Sequence, residues 1–368
     1  MFSKQDLQML VDLETGEKVL SLYLNTNLGE HPIGSHELRL RALLDEVDLP
    51  ADEKAVQAYF HQDYAWKKSR GAVVFSSRGG DVFHAYPLSV NLQDRVKVGQ
   101  YPYLAPLSNL WDAYSGNGVV TVDQQGANLY VFQMGELLDQ AVYRGEEIQR
   151  QKHGGGSQTT GTWRGGEGAG EHFDQQTDRN LREAAALTDE FFTKHEVRRV
   201  FLGGTEKNLS AFEKHLQTTW RSLISGTFSM DKDMEVSRIQ EQVLSLVQRE
   251  TEKTKRALAQ TVITEAAKGR SGLLRVDDIL GAVREGRVQT LLIEDGYQQA
   301  GYQCQGCEYL TVQELEACPF CGEEFREIDD VGALVVRSVL NAGGRVEVYP
   351  GDDHELADRG GMGALLRY

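Results

Sequence analysis

The chain has 368 residues, of which 40% are hydrophobic and 26% are charged. These proportions are typical of a globular protein that is large enough for two or three domains. Its 55 acidic and 39 basic residues give a net charge of −16, which disfavours non-specific binding to nucleic acid. Any contact with RNA is therefore expected to come from a local patch.

The sequence offers no segment suited to a membrane. No stretch approaches the roughly eighteen apolar residues that a membrane-spanning helix needs. The N-terminus carries acidic residues and no apolar core, which does not fit a secretion signal. We therefore expect a cytoplasmic protein with no membrane partner.

The first part of the chain mixes strands and helices. Short apolar runs at 19–25 and 70–77 predict strands, and the leucines between 38 and 44 predict a helix. A turn-rich run at 115–118 is typical of a boundary between domains. We therefore predict an N-terminal α/β domain over residues 1–115.

The next part of the chain, residues 116–258, is predicted to be a central β-rich domain. It begins with a hairpin of two strands at 118–123 and 127–134, and a third strand is predicted at 140–148. A glycine-rich segment, residues 149–171, follows these strands.

Helical patterns dominate the rest of the central domain. Apolar residues between 181 and 192 recur at helical spacing and predict a long helix after the glycine-rich segment. A buried strand is predicted at 198–204, one helix between 209 and 220, and another from 236 to about 268.

The last part of the chain, residues 259–368, alternates in the manner of an α/β domain. Helices are predicted at 277–285 and 331–341, and strands at 288–293 and 345–349. The predicted fold class is thus α+β, with an α/β third domain that an inserted cysteine segment interrupts.

The chain has four cysteines, and they follow the spacing C-x2-C-x10-C-x2-C: Cys304, Cys307, Cys318 and Cys321. Each C-x-x-C pair can aim two thiolates at one point, and the ten residues between the pairs suffice for a small hairpin. Four thiolates complete a tetrahedron and leave no open position. We therefore predict a structural Zn²⁺ in a zinc ribbon over 304–321. Four unrelated thiols and a redox dithiol are the weaker alternatives.

The glycine-rich segment is too rich in glycine for the interior of a helix or strand. No acidic residue lies from Ile148 to Gly166, whereas three basic ones do: Arg150, Lys152 and Arg164. Such a segment can approach phosphates. Gln158 carries an amide that donates and accepts hydrogen bonds without titrating. On composition alone, a disordered linker is an equally good interpretation.

Two acidic pairs and three histidines have ordinary structural interpretations. Asp277-Asp278 and Asp329-Asp330 each open a predicted helix, where acids cap the first turn and favour the helix dipole. His172, His195 and His215 are expected to be surface or capping residues without a paired acid and nucleophile.

The order of these motifs resembles the archaeo-eukaryotic class-1 release factor superfamily, which includes Pelota, and more closely its bacterial branch. The resemblance covers roughly residues 118–368, whereas residues 1–115 agree only in order and size. The segments that carry it are HGGGSQ (153–158), RRVFLGGTEKN (198–208), DDILGAVREGRVQTLLIEDG (277–296), both cysteine pairs, Asp329-Asp330 and the C-terminal GGMGALLRY.

The resemblance implies a role for the glycine-rich segment. In that family the central domain offers a Gly-Gly-Gln loop, and bacterial relatives often carry Ser before Gln, as Ser157 stands here. Gly155 and Gly156 would let the loop enter the peptidyl-transferase centre of the large ribosomal subunit. Gln158 would position the water that attacks the ester of peptidyl-tRNA. Large-subunit rRNA would be contacted by four further residues: Arg150, Lys152, His153 and Arg164.

The sequence also departs from the family pattern. The glycine-rich extension at 159–171 replaces the arginine-rich helix start that relatives would have. Residues 1–115 contain no Asn-Ile-Lys-Ser motif, so reading of a stop codon is not predicted.

The leading hypothesis is a translation factor of the ribosomal A site that hydrolyses peptidyl-tRNA during rescue or termination. A tRNA or a translational GTPase would be a further partner. One alternative is a non-catalytic ribosome hibernation factor of the Balon kind. The other is a zinc-stabilised protein-interaction module, which the acidic charge favours.

Overall fold

The computed structural model describes residues 2–32, 34–66, 69–145, 167–230, 234–349, 356 and 359–368. These residues form a mixed α+β fold with four β-sheets, which confirms the predicted fold class. They divide into two compact units, Met1–Ala113 with Thr251–Tyr368, and Tyr114–Glu250. The domain boundaries near 115 and 258 stay predictions. Among the described residues, no helix combines the length and the apolar composition that a membrane crossing requires.

The first segment of the chain forms one antiparallel sheet with helices on it. Its elements are α1 (Lys4–Val11), β1 (Val19–Asn25), α2 (Ser35–Leu44), α3 (Pro50–Gln62), β2 (Gly71–Ser77), β3 (Val82–Leu88), β4 (Arg95–Gly99) and α4 (Ala105–Tyr114). The strand order is β3-β2-β1-β4, so the two predicted strands, β1 and β2, are the central ones. Both are buried along their whole length, which explains their mainly apolar sequences.

The unit Tyr114–Glu250 contains a five-stranded mixed sheet. Its elements are β5 (Asn117–Val122), β6 (Gly126–Gln133), β7 (Glu136–Arg144), α5 (Glu167–Lys194), β8 (Arg199–Gly204), α6 (Glu206–Glu213), α7 (Thr218–Ser222), β9 (Ile224–Phe228) and the start of α8 (Val236–Ala267). The strand order is β7-β6-β5-β8-β9, with parallel pairing of β5 with β8 and of β8 with β9. The apolar face of α5 shares a core with this sheet, through side chains such as Leu181 and Phe192.

Two details of this unit differ from the prediction. The third strand is β7, which begins four residues earlier than expected because Met134 and Gly135 both have positive φ, at 49° and 80°. Two such residues form the tight turn that joins antiparallel strands directly. The helix predicted between 209 and 220 is two helices, α6 and α7. The Arg221 guanidinium donates to the carbonyl oxygens of Lys214 and Leu216, which supplies partners where the helix breaks.

The last segment of the chain alternates strands and helices, as predicted. Its elements after α8 are β10 (Gly272–Leu273), α9 (Val276–Arg284), β11 (Val288–Glu294), β12 (Gly301–Cys304), β13 (Leu310–Thr311), β14 (Phe325–Ile328), α10 (Val331–Asn341), β15 (Arg345–Tyr349) and β16 (Met362–Leu366). One sheet has the order β10-β16-β11-β15, and a small separate sheet has the order β13-β12-β14. The small sheet is the predicted insertion between β11 and α10.

Candidate metal centre and the base of the glycine segment

The four cysteines lie in the two turns of the small inserted sheet. Cys304 ends β12 and Cys307 follows in the next turn, while Cys318 and Cys321 lie in the turn before β14. The strands β12 and β14 pair side by side, from Gly301 opposite Ile328 to Cys304 opposite Phe325. This pairing brings the two C-x-x-C turns to the same end of the sheet.

The sulfur atoms are spaced as one metal ion requires. The Sγ atoms of Cys304 and Cys321 are 3.3 Å apart, and those of Cys307 and Cys318 are 3.6 Å apart. All four lie within 4.8 Å of one another. A tetrahedral ion with Zn–S bonds of about 2.3 Å sets its sulfur ligands roughly 3.8 Å apart. The donor set therefore fits a metal ion, and four sulfurs favour zinc or iron over harder cations.

Backbone groups of the turns stabilise the negative charge of the sulfurs. The N–H groups of Gly306 and Cys307 point at the Cys304 sulfur, at 3.4 and 3.5 Å. Burial raises the pKa of the Cys318 thiol, but hydrogen bonds from the backbone N–H groups of Phe320 and Cys321 and from the thiols of Cys307 and Cys304 together bring that pKa down to about 6. Because metals bind the thiolate, these amides prepare the site for an ion.

The turn that contains Cys318 and Cys321 packs against helix α9 through the ring of Phe320. The Phe320 ring is 53% exposed, and the guanidinium carbon of Arg284 lies 3.6 Å from its centroid. Tyr309 meets the same ring edge-on, with the centroids 4.8 Å apart. The ring is thus held in one orientation from two sides, and the turn is tied to the α/β sheet through Arg284.

The residues that lead into the inserted sheet are held by the first segment of the chain. Asp295 forms an ion pair with Arg95, and the backbone N–H of Gly296 donates to the Tyr103 hydroxyl at 3.0 Å. Burial, opposed in part by that hydrogen bond, raises the pKa of Tyr103 to about 12. The residues before the insertion are therefore fixed against β4 and the residues that follow it.

All the predicted residues of the glycine segment lie outside the described residues: Arg150, Lys152, His153, Gly155, Gly156, Ser157, Gln158 and Arg164. Their roles stay predictions. The structure describes the elements on both sides, β7 before the segment and the long helix α5, which begins earlier than expected and includes residues 167–171 of the segment. A long helix after the segment was predicted from the sequence.

The described chain before the segment ends in a packed junction. The backbone N–H of Gly145 donates to the carbonyl oxygen of Gln125 at 2.8 Å. Beside it lies the Asn180 side chain of α5, which is only 1% exposed. Asn180 was not predicted as a functional residue. The available signal was a polar residue next to Leu181 on the face of α5 that the apolar pattern assigns to the core.

Two of the three histidines have acidic partners, which the local sequence did not indicate. The Nε2 atom of His195 lies 2.9 Å from Asp139, and that of His215 lies 2.7 Å from Asp178. The partners are far apart in sequence, which hides them from a local pattern. The acidic pairs behave as predicted: Asp277 and Asp278 lie in the first turn of α9, and Asp330 caps α10 by accepting from the backbone N–H of Ala333.

One protein family matches the chain. Residues 102–252 match the model of bacterial archaeo-eukaryotic release factor family 10. The matched residues include the whole compact unit 114–250, with its glycine segment and α5. The resemblance to the bacterial branch of the archaeo-eukaryotic release factor superfamily is thereby confirmed for this part of the chain.

The chain is also similar to solved structures at low identity. A crystal structure of the archaeal translation termination factor aRF1 is 15% identical, covers 100% of this chain and 99% of its own, and has a TM-score of 0.26. Archaeoglobus fulgidus Pelota is 15% identical over 81% of this chain and 79% of its own, with a TM-score of 0.32. S. cerevisiae Dom34 is 11% identical over 83% of each chain, with a TM-score of 0.40. No curated protein matches significantly.

Proposed function

We propose that this protein is a translation factor that binds the ribosomal A site and hydrolyses the ester of peptidyl-tRNA with Gln158. The observation that carries the proposal is the family match over residues 102–252, because the matched part contains the HGGGSQ segment. The mixed sheet with α5 against it provides a rigid support on both sides of that segment.

The proposed ester hydrolysis depends on how Gln158 positions a water molecule. The amide of Gln158 holds a water molecule against the ester carbonyl carbon. The water oxygen bonds to that carbon, the bond from the carbon to the ribose oxygen breaks, and the ribose oxygen takes up a proton. Gln158 does not titrate, so its contribution is the orientation of the water. Gly155 and Gly156 allow the backbone to approach the reacting groups closely.

The RNA contacts are local. The whole chain has a net charge of −16, whereas the segment from Ile148 to Gly166 carries no acidic residue. Arg150, Lys152, His153 and Arg164 therefore provide the contacts with rRNA phosphates. A tRNA or a translational GTPase would be a further partner, and the cytoplasm is the compartment in which such a factor acts.

The four cysteines contribute structure. Zn²⁺, when bound, would join the two turns of the inserted sheet through Cys304, Cys307, Cys318 and Cys321 and add folding free energy. With four protein ligands the ion has no open position, so it takes no part in ester hydrolysis. The inserted sheet then serves as a folding and docking element.

Two measurements test the proposal separately. Co-sedimentation with ribosomes at low salt measures binding, and release of labelled peptide from stalled ribosome complexes measures hydrolysis. We expect Gln158→Ala to co-sediment like the unmodified protein and to release peptide far more slowly. If Gln158→Ala released peptide at the unmodified rate, the catalytic role would be abandoned.

A non-catalytic hibernation factor is the second candidate, and two departures from the family pattern favour it. Ser157 separates Gly156 from Gln158, and a glycine-rich extension follows where relatives would have arginines. This candidate predicts co-sedimentation with idle ribosomes and no hydrolysis. Failure to co-sediment at all would instead favour a zinc-stabilised protein-interaction module, which suits the acidic charge.

A further inference from the structure

The junction at the end of β7 joins three separate parts of the chain through one side chain. The turn between β5 and β6, the residue after β7 and the middle of α5 all meet at Asn180. The Nδ2 atom of Asn180 donates to the carbonyl oxygen of Gln124 at 3.4 Å, and its Oδ1 atom accepts from Gln176 at 3.2 Å. Asn180 therefore uses both ends of its amide.

The turn that Asn180 holds is itself well ordered by hydrogen bonds. Asp123 accepts from the backbone N–H groups of Gln125 and Gly126, at 2.8 and 3.0 Å. Gln125 in turn accepts from the backbone N–H of Gly145 at 2.8 Å. The position of Gly145 is thus set by a fixed turn on one side and by Asn180 on the other.

The fit between Gly145 and Asn180 leaves no room for a side chain. A Cβ atom on Gly145 would lie 2.0 Å from Oδ1 and 2.3 Å from Cγ of Asn180. Such distances do not occur between real atoms, so the closeness of the two residues requires glycine at 145. Burying an amide without partners costs about 1–3 kcal/mol, so the hydrogen bonds with Gln124 and Gln176 offset the cost of burying Asn180.

The junction also fixes where the glycine segment starts relative to where it ends. The helix α5 begins at Glu167, thirteen residues before Asn180. At about 1.5 Å per residue, its first turn lies roughly 20 Å along the helix axis from the junction. Gly145 and Glu167, the described residues on either side of the segment, are therefore placed at separate points along the same helix.

We propose that Asn180 is a positioning residue: it fixes the point at which the chain leaves the sheet, and so places the segment that carries Gln158. This inference rests on the proposed hydrolysis of peptidyl-tRNA. Asn180 touches neither substrate nor water. Its effect passes through Gly145 and the turn at Gln124.

If Asn180 only stabilised the fold, its removal should affect peptide release no more than removal of another buried polar group of α5. The same helix offers such a group as a matched control. Thr188 lies two turns further along α5, is fully buried, and donates through Oγ1 to the carbonyl oxygen of Ala184 at 2.8 Å. Thr188→Ala and Asn180→Ala each remove one buried polar group from the same helix. We expect similar losses of stability from both variants.

The experiment compares the two variants in full-length protein. For Asn180→Ala we expect the maximal rate of peptide release to fall about tenfold or more, because small displacements of a positioning group are costly. The ribosome concentration at half-maximal rate should change less than about twofold, since the phosphate-binding residues remain. Thr188→Ala should keep the unmodified rate. If both variants lost rate equally, or neither did, the positioning role would be wrong.

A second pair of variants tests two effects separately: the steric clash that a side chain at 145 would make with Asn180, and the role of Asn180 in positioning Gly145. Gly145→Ala should destabilise the protein, because the new methyl group meets Asn180. Adding Asn180→Ala removes that clash, so the double variant should regain stability relative to Gly145→Ala. Its release rate should stay at the low level of Asn180→Ala. A double variant that regained the unmodified rate would contradict the positioning role of Asn180.

Hydrogen exchange distinguishes failure of this inference from failure of the proposed function. The amide hydrogen of Gly145 should exchange faster in Asn180→Ala than in Thr188→Ala, whether or not the protein releases peptide. If the unmodified protein released no peptide, the proposed hydrolytic function would be wrong. The exchange measurement would still show whether Asn180 fixes the position of Gly145. Equal exchange of Gly145 in the two variants would overturn that positioning role.

Discussion

The ammonium group of Lys97 lies 2.7 Å from a carboxylate oxygen of Asp330, and the two side chains are only 13% and 9% exposed. Lys97 also donates to the carbonyl oxygen of Tyr297 at 2.8 Å. Asp330 in turn caps α10. One ion pair therefore joins strand β4, from the first part of the chain, to the place where the inserted sheet ends and α10 begins.

Loss of the Lys97 charge should be costly. In Lys97→Met, the Asp330 carboxylate stays buried without its cation, and such a loss typically costs about 3–5 kcal/mol. Urea unfolding at neutral pH measures the change. The control is Lys268→Met, because Lys268 and Glu265 form an exposed pair 3.5 Å apart, worth about 0–1 kcal/mol. Equal free energies of unfolding for the two variants would show that the buried pair stabilises the fold no more than the Lys268–Glu265 pair does.

Removal of one cysteine should remove the metal. We expect purified protein to contain one zinc ion per chain, and Cys318→Ser to contain none, by elemental analysis. The variant should also unfold at lower urea, since binding of the ion adds folding free energy. Chelation of the unmodified protein should give the same loss. Retention of a full equivalent of zinc by Cys318→Ser would contradict a four-cysteine site.

The Asp178–His215 pair predicts a pH dependence of stability. A hydrogen bond from His215 lowers the pKa of Asp178, so the folded state favours the carboxylate. A lowered pKa stabilises the fold above the unfolded value near 3.8, and that stability is lost as the pH falls through the lowered value. Because Asp178 is half exposed, the gain is at most about 1 kcal/mol.

The variant Asp178→Asn tests this prediction by urea unfolding at two pH values. It should be less stable than the unmodified protein near pH 6. The difference should shrink toward zero as the pH falls well below 3.8, where both side chains are neutral. A difference that grew on acidification would contradict the assignment.

Elements with a strong local signal could be predicted from the sequence. The strands β1, β2 and β8 lie inside their sheets, so nearly all their residues are buried and their sequences are mainly apolar. The cysteine spacing likewise predicted which four sulfurs come together. In each case, the signal that predicts the structure lies within one short stretch of the sequence.

Elements defined by distant contacts could not be predicted in this way. The strand β16 lies between β10 and β11, but it is five residues long, contains Gly363 and directly follows Gly360 and Gly361, so its local signal is weak. Lys97 and Asp330 are more than two hundred residues apart, and no local pattern connects them. Asn180 lies on the core face of α5, but Gly145, which it packs against, is 35 residues away in the sequence.

Release of labelled peptide from stalled ribosome complexes, with Gln158→Ala as the variant, tests the proposed function most directly. The assay should include co-sedimentation, so that loss of binding is not mistaken for loss of hydrolysis. We predict that the unmodified protein releases peptide, and that Gln158→Ala binds equally well and releases it at least about a hundredfold more slowly. Equal release rates, or bound unmodified protein without any release, would contradict a hydrolytic role for Gln158.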